Sequence, residues 1–192
     1  MSWDTINQFF VKEHVGMFKA ANNYDVLTLE GKKVLECREP NLGLFTKMLR
    51  FSDYKCYTPF QIEIRDSEQN LIVTVKRGIS LFLSKVEVFD GTGKLIGGFK
   101  QKMFSFGGKF DVLDAQDKKV CELKGKWTGW DFRFLAGDHE MAHVTKKWAG
   151  MGKELFTSAD NYVLEIDVNM TDPDIRRLIF ASVMCIDMVL KE

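Results

Sequence analysis

Apolar and polar residues alternate through most of this chain, and short polar runs break the alternation at even intervals. "EIRDSEQNLIVTVKRG" begins at Glu63, "EVFDGTGKLIGGFKQK" at Glu87 and "DVLDAQDKKVCELKGK" at Asp111, so Asp66, Asp90 and Asp114 stand 24 residues apart. Asp138, in "LAGDHEMAHVTKKW", falls 24 further on. Each unit reads as strand, turn, strand: apolar residues alternate before the Asp, and Leu71-Ile72, Leu95-Ile96, Val120 and Val144 follow the turns. Asp beside Gly or Gln suits a tight turn because its carboxylate can bond its own backbone. An earlier hairpin runs from Tyr24 to Glu39 and turns at Glu30-Gly31. The count comes to roughly ten to twelve short strands, the spacing of an antiparallel sandwich or barrel. Three or four units are few for a solenoid or propeller, so the pattern predicts a closed, mainly β body. "INQFFVKEHVGMF" fits a short helix or a first strand equally well.

The closing segment has a different period. Thr171 or Asp172 can cap a helix, Pro173 suits its first position, and Asp174 sits at the positive end of the dipole. From Leu178 to Leu190 only Ser182 and Asp187 are polar, and a helix apolar on every side is buried on every side. Those thirteen residues fall short of the ~20 that cross a hydrocarbon core. Extending the span backwards brings in Arg176 and Arg177, each costing ~2.5–3.5 kcal/mol at mid-bilayer. The helix therefore belongs inside the protein, with Leu178, Ile179, Phe180, Val183, Met184, Ile186 and Leu190 as its core residues. A barrel wide enough to need a plug and a helix that needs a sleeve satisfy each other.

Composition narrows the function classes. The chain has 192 residues, 45% hydrophobic and 28% charged, and its 27 basic residues cancel its 27 acidic ones. No global field draws it to nucleic acid or to an anionic membrane. Cys37, Cys56, Cys121 and Cys185 are scattered without a C-x-x-C pair, which fits reduced thiols in a cytoplasmic protein and argues against a cysteine zinc site. No signal peptide, lipidation signal, Ser/Gly linker or low-complexity run is legible, so the expectation is one domain over residues 1–192, with strands from about 23 to 168 and the helix from about 173 to 190.

The order of several short motifs resembles the phospholipid scramblases. "KKWAGMGKELFTSADNYVLEIDVNM" and "RRLIFASVMCIDMVLKE" carry a Lys-Trp-x-Gly motif, then Thr-x-Ala-Asp-Asn-aromatic, then an apolar helix with Ile-Asp. "INQFFVKEHVGMF", "NNYDVLTLEGKKVLECRE", "PFQIEIRDSEQNLIVTVKR" and "VEVFDGTGKLIGGF" look similar upstream, in the same order, so the resemblance runs from about Ile6 to Leu190. It implies the fold shared with the tubby and LURP-one-related proteins, twelve antiparallel strands closed around a central C-terminal helix. It also implies contact with membrane phospholipid on the inner, cytoplasmic face, bidirectional lipid movement, and modulation by Ca2+. The family's Pro-rich segment and palmitoylated Cys-rich stretch have no counterpart here. The alternative is a non-catalytic binding or scaffold module of the same fold.

The family's calcium segment maps onto Asp160, Asn161 and Asp167, with Asp172 and Asp174 as further oxygen donors; Ser158 stands at its first acidic position, and "EIDVNMTDPD" replaces its usual core. Read from the residues alone, the same stretch is a solvated loop ending in a helix cap, without the Gly and terminal Glu of an EF-hand. Lys76, Lys100 and Lys124 recur at the 24-residue step, with Lys147 close to the next, and form either a stripe for lipid head-group phosphates or the wet face of strands protected from edge pairing. "HEMAH", at 139–143, spells the H-E-x-x-H of zinc peptidases, which needs a helix to bring both His to one metal. The repeat predicts a strand there, which sets His139 and His143 ~13 Å apart. No phosphate-binding Gly-rich loop and no G-x-S-x-G is present, so no catalytic centre is expected and no nucleic-acid partner. Trp127, Trp130 and Trp148 fit either a membrane interface or rim packing.

Overall fold

Strands form wherever period-two alternation lets one face bury Val, Ile, Leu and Phe while the other stays wet. The structure is a computed structural model that describes residues 2–14, 23–40, 59–78, 85–101, 109–126, 130–146 and 161–190, without the side chains of 101, 126 and 187–190. The strands are β1 (Gln8–Glu13), β2 (Tyr24–Leu27), β3 (Lys33–Arg38), β4 (Phe60–Asp66), β5 (Leu71–Arg77) and β6 (Lys85–Asp90). They continue as β7 (Leu95–Gln101), β8 (Phe110–Asp114), β9 (Lys119–Lys126), β10 (Asp131–Ala136), β11 (His139–Thr145) and β12 (Tyr162–Ile166). The helix α1 spans Pro173–Leu190. "INQFFVKEH", open between helix and strand from its pattern, is strand β1 preceded by a short 3-10 turn at Trp3–Thr5.

Every strand pairs antiparallel with its sequence neighbours, and β1 pairs with β12 through Gln8↔Glu165 to Val11↔Tyr162, closing a twelve-stranded barrel. Closure leaves no strand edge among them to be protected. The inward faces are Phe9 and Val11, Ile62 and Ile64, Val73 and Val75, Val86 and Val88, Phe132 and Phe134, with their equivalents on the other strands, and all belong to one buried cluster with α1. On β7, Gly97 has φ +152, and a Cβ there would collide with the Leu113 carbonyl oxygen. The inner wall therefore depends on glycine at that position.

One end of the barrel is made of tight turns. Asp66, Asp90 and Asp114 each accept the backbone N–H groups two and four residues on, at 2.9–3.0 Å. Thr28 accepts the Lys32 N–H in the first hairpin at 3.3 Å. The residue three positions after each capping side chain turns left-handed: Gly31 at φ 84, Gln69 at 69, Gly93 at 87 and Asp117 at 58. The fourth repeat departs from the sequence pattern. Asp138 is the second residue of a two-residue turn, Gly137-Asp138, because Ala136 pairs directly with His139; Gly137 takes the positive φ of 63. The 24-residue step to Asp138 is thus not a repetition of the same turn.

Two predictions follow from this geometry. Asp117→Gly relieves a left-handed side chain at the cost of an exposed ion pair with Lys85, and should raise stability by about 0.5–1 kcal/mol in urea titration. Asp90→Ala removes a carboxylate that binds the Thr92 hydroxyl and two backbone N–H groups, and should cost roughly 1 kcal/mol. The Thr92 hydroxyl bond leads in holding the Asp90 carboxyl below its usual range. At Asp66 burial works in the opposite direction, but bonds from Asn70 and Glu68 outweigh it and the pKa is again lowered. A group whose pKa is depressed in the folded state stabilises above its unfolded value, about pH 4 for Asp, and loses that contribution as pH falls through the folded value. Asp90→Ala should therefore differ most from the parent near neutrality and converge with it in acid.

Helix α1 fills the barrel. Asp172 caps it: its Oδ1 accepts from the N–H groups of Asp174 at 2.9 Å and Ile175 at 3.1 Å, which identifies the capping residue between the two candidates. Leu178, Ile179, Phe180, Val183, Met184 and Ile186 are all buried, at 3% exposure or less, while the Leu190 side chain lies outside the described residues. Ser182 satisfies its hydroxyl within the helix by donating to the Leu178 carbonyl at 2.8 Å. Phe180 meets Phe9 edge-on at 4.8 Å between ring centroids and Trp3 at 5.7 Å.

Candidate functional site

The polar loop that delivers the chain into α1 is the first candidate. Asp167 closes a turn by accepting from the Asn169 N–H at 3.0 Å, and its other oxygen pairs with His139 Nε2 at 2.7 Å. The Asn169 backbone bond is the leading reason its carboxyl titrates below the usual range. Asp172 is committed to the helix cap, and Asp174 pairs with Arg177 at 2.7 Å. Asn161 is buried at the start of β12, at the other end of that strand from Asp167, and Asp160 lies outside the described residues. Among the described residues no three His, Cys, Asp or Glu side chains come together where they could hold a metal.

Arg176, one turn into the helix, is the residue whose role the sequence hid. It is 2% exposed, and its guanidinium donates to the Asn7 side-chain oxygen and the Met170 carbonyl, both at 3.1 Å, and to the Ile6 carbonyl. Burial lowers its pKa, with Asp4 acting in the opposite direction. Counted from sequence, Arg176 is a penalty against a membrane span. In the fold it ties the helix start to the segment before β1 and to the turn after β12.

The HEMAH segment is strand β11, not a helix. A register shift between Phe134 and Leu135 leaves Met141 as the extra residue, and the two imidazoles bond to different carboxylates. His139 reaches Asp167, and His143 lies 2.9 Å from Asp131.

Lys76, Lys100 and Lys124 are exposed on the outer wall, toward the end opposite the tight turns; Lys147 lies outside the described residues, as do Trp127 and Trp148. Register decides their neighbours. Lys76 faces Glu87, and Lys100 faces Asp111 on one side and Lys85 on the other. Lys124 faces Arg133 across β9 and β10 and lies 3.3 Å from Glu122. A depression of about 440 Å3 opens beside this last pair, lined by Lys109, Lys124, Gly125, Asp131 and Arg133. Lys109 and Arg133 carry no repeat signal; only strand register brings them to Lys124. Trp130, at the same rim, stacks on Tyr162 at 5.5 Å under the Lys146 ammonium at 3.9 Å, so it packs at the rim. A larger depression of about 590 Å3 lies at the tight-turn end, between Ile6, Asn7, Leu29, Glu165 and Val168, far from these cations.

Comparison with known proteins gives these features a context. The family model described as Scramblase matches residues 4–192. The chain is 25% identical over 175 residues to altered inheritance rate of mitochondria protein 25 of Saccharomyces cerevisiae, covering 78% of this chain and 53% of that protein. It is 22% identical over 172 residues to human phospholipid scramblase 2 (80% and 56% covered) and 20% identical over 167 residues to human phospholipid scramblase family member 5 (79% and 60%). The chain thus spans about half the length of the curated relatives it matches. Among solved structures, the X-ray structure of an Arabidopsis thaliana protein superposes with a TM-score of 0.59 at 17% identity, covering 94% of this chain and 90% of that one, which shows the same fold.

Proposed function

We propose that this chain, which belongs to the scramblase family, has a lipid-related role and engages membrane phospholipid as a barrel at the bilayer surface, with its C-terminal helix kept inside. The burial of α1 carries this reading: residues Leu178 to Ile186 are 6% exposed or less, and every side is occupied by barrel wall. Among the described residues no helix is long and apolar enough to cross a membrane. Withdrawing α1 into lipid would gain little apolar contact that it lacks already, and would leave the barrel lining bare at about 25 cal/mol per Å2. Any bidirectional lipid movement that the chain promotes then arises from perturbing one leaflet, the anionic cytoplasmic one. Calcium is a weak lever in this reading, since a cation entering the loop has to displace His139 from Asp167, Arg177 from Asp174 and two backbone N–H groups from Asp172.

Flotation of the detergent-free protein with phosphatidylserine-containing vesicles, in calcium and in chelator, tests the proposal. Calcium-independent flotation that disappears in high salt is the expected result. Flotation only with calcium would return the function to the Asp160–Asp174 loop. No flotation with any vesicle would leave the scaffold reading.

A further inference from the structure

We infer that the depression formed by Lys109, Lys124 and Arg133 is a seat for the phosphate of an anionic phospholipid, and that the barrel meets the membrane with the rim opposite its tight turns. The inference rests on the lipid reading above and adds to it a site and an orientation.

The register is the first observation. Lys124 stands directly across from Arg133, and three strands away Lys85 stands directly across from Lys100. Like charges set opposite each other on a sheet destabilise it. The sheet compensates only in part: Lys124 has Glu122 at 3.3 Å, and Arg133 has Asp131 at 3.4 Å and Glu140 at 3.1 Å, all exposed or partly exposed. Lys109, exposed at the start of β8, has no carboxylate partner among the described residues. Three cations thus surround one depression of about 440 Å3 that Gly125 also lines. Gly125 has no side chain for a packing reason, because a Cβ there would run into the Phe132 ring. Asp131 is the one acidic group in the lining, and it is already shared between Arg133 and His143.

The distribution of charge along the barrel axis is the second observation. Asp66, Asp90, Asp114, Asp167, Asp172 and Asp174 all lie at the tight-turn end. Lys76, Lys100 and Lys124 lie toward the other end, on β5, β7 and β9, with Lys109 just before β8. Lys32, Lys94 and Lys118 stand at the tight turns, and Glu87, Asp111, Glu122 and Asp131 stand beside the rim cations, so the attraction of an anionic surface to this rim is local to the Lys109, Lys124 and Arg133 cluster. A plane of head groups engages several of these cations at once, which a single dissolved phosphate cannot do.

The test uses two triple variants of equal charge change, Lys109→Gln/Lys124→Gln/Arg133→Gln at the seat and Lys32→Gln/Lys94→Gln/Lys118→Gln at the tight turns. All six residues are exposed, and matched thermal melts check that both variants fold. Binding is measured to phosphatidylcholine vesicles with and without phosphatidylserine. The seat variant should lose affinity by about tenfold or more, and the turn variant should lose far less. Equal losses, or none in either, would overturn the seat while leaving lipid binding intact. Absence of binding by the parent protein would remove the lipid reading itself. Inorganic phosphate serves as the second probe in calorimetry: saturable binding that the seat variant lacks, without vesicle binding, would show a soluble phosphate as the occupant and overturn the membrane source.

Discussion

Arg176→Met lowers the thermal midpoint by about 5–15 °C, the shift expected when a chain of this size loses roughly 2–4 kcal/mol. The loss comes from the acceptors left behind. The buried Ile6 carbonyl and the part-buried Met170 carbonyl and Asn7 side-chain oxygen all lose their donor, and a group left unsatisfied costs about 1–3 kcal/mol, less where water can replace the guanidinium. Part is returned because methionine has no charge to desolvate, which is why the total is below the sum. Arg176→Lys keeps the charge but presents a single ammonium to three acceptors in different directions, and should fall between the two. Arg177→Met is the contrast: its partner Asp174 is half-exposed, so the pair contributes about 0–1 kcal/mol. Melting curves of the three variants side by side decide the matter. If Arg176→Met and Arg177→Met melt together, Arg176 is not what fastens the helix.

Phe180→Ala should be the most damaging single truncation in the helix, at about 3–5 kcal/mol in urea. Phe180 reaches the wall on the β1 side, where Phe9 and Trp3 meet it edge-on. A close-packed lumen bounded by hydrogen-bonded strands has little freedom to collapse into the space left by a ring. Phe180→Leu retains most of the volume and should cost less than half as much. An equal and small effect of both would mean that the helix lies loosely in the barrel.

Much of this arrangement can be read from the chain before any coordinates. Asp66, Asp90 and Asp114 announce their turns because a carboxylate bonding its own backbone is a local event, complete within five residues. The burial of α1 follows from its length and its lack of a polar side, both local properties. What could not be read depends on register and closure. Pairing of Gln8 with Glu165 joins the two ends of the sheet, and no local pattern in "INQFFVKEH" distinguishes that strand from a helix. Asp138 misleads because a 24-residue interval measures sequence, whereas the turn is placed by Ala136 pairing with His139. Arg176 looks like a flanking charge because its three acceptors come from segments on either side of the barrel seam. The seat is hidden for the same reason: Lys109, Lys124 and Arg133 have unrelated positions in the sequence and become neighbours only when β8, β9 and β10 align.

The account stands on a barrel that keeps its helix while it meets lipid, and the cysteines facing the interior can test that directly. Cys37, Cys121 and Cys185 are all buried, and burial pushes the thiols of Cys121 and Cys185 up to about 12, so none should react while the lumen is filled. The measurement is maleimide modification, with one water-soluble and one lipophilic reagent, read cysteine by cysteine by peptide mass spectrometry with and without phosphatidylserine vesicles. Cys121, on the wall at β9, reports the lumen itself. The account predicts that Cys121 stays unmodified by both reagents at vesicle concentrations where the protein floats. Modification of Cys121 that appears only with vesicles would mean that the helix leaves the barrel on binding, and would contradict it.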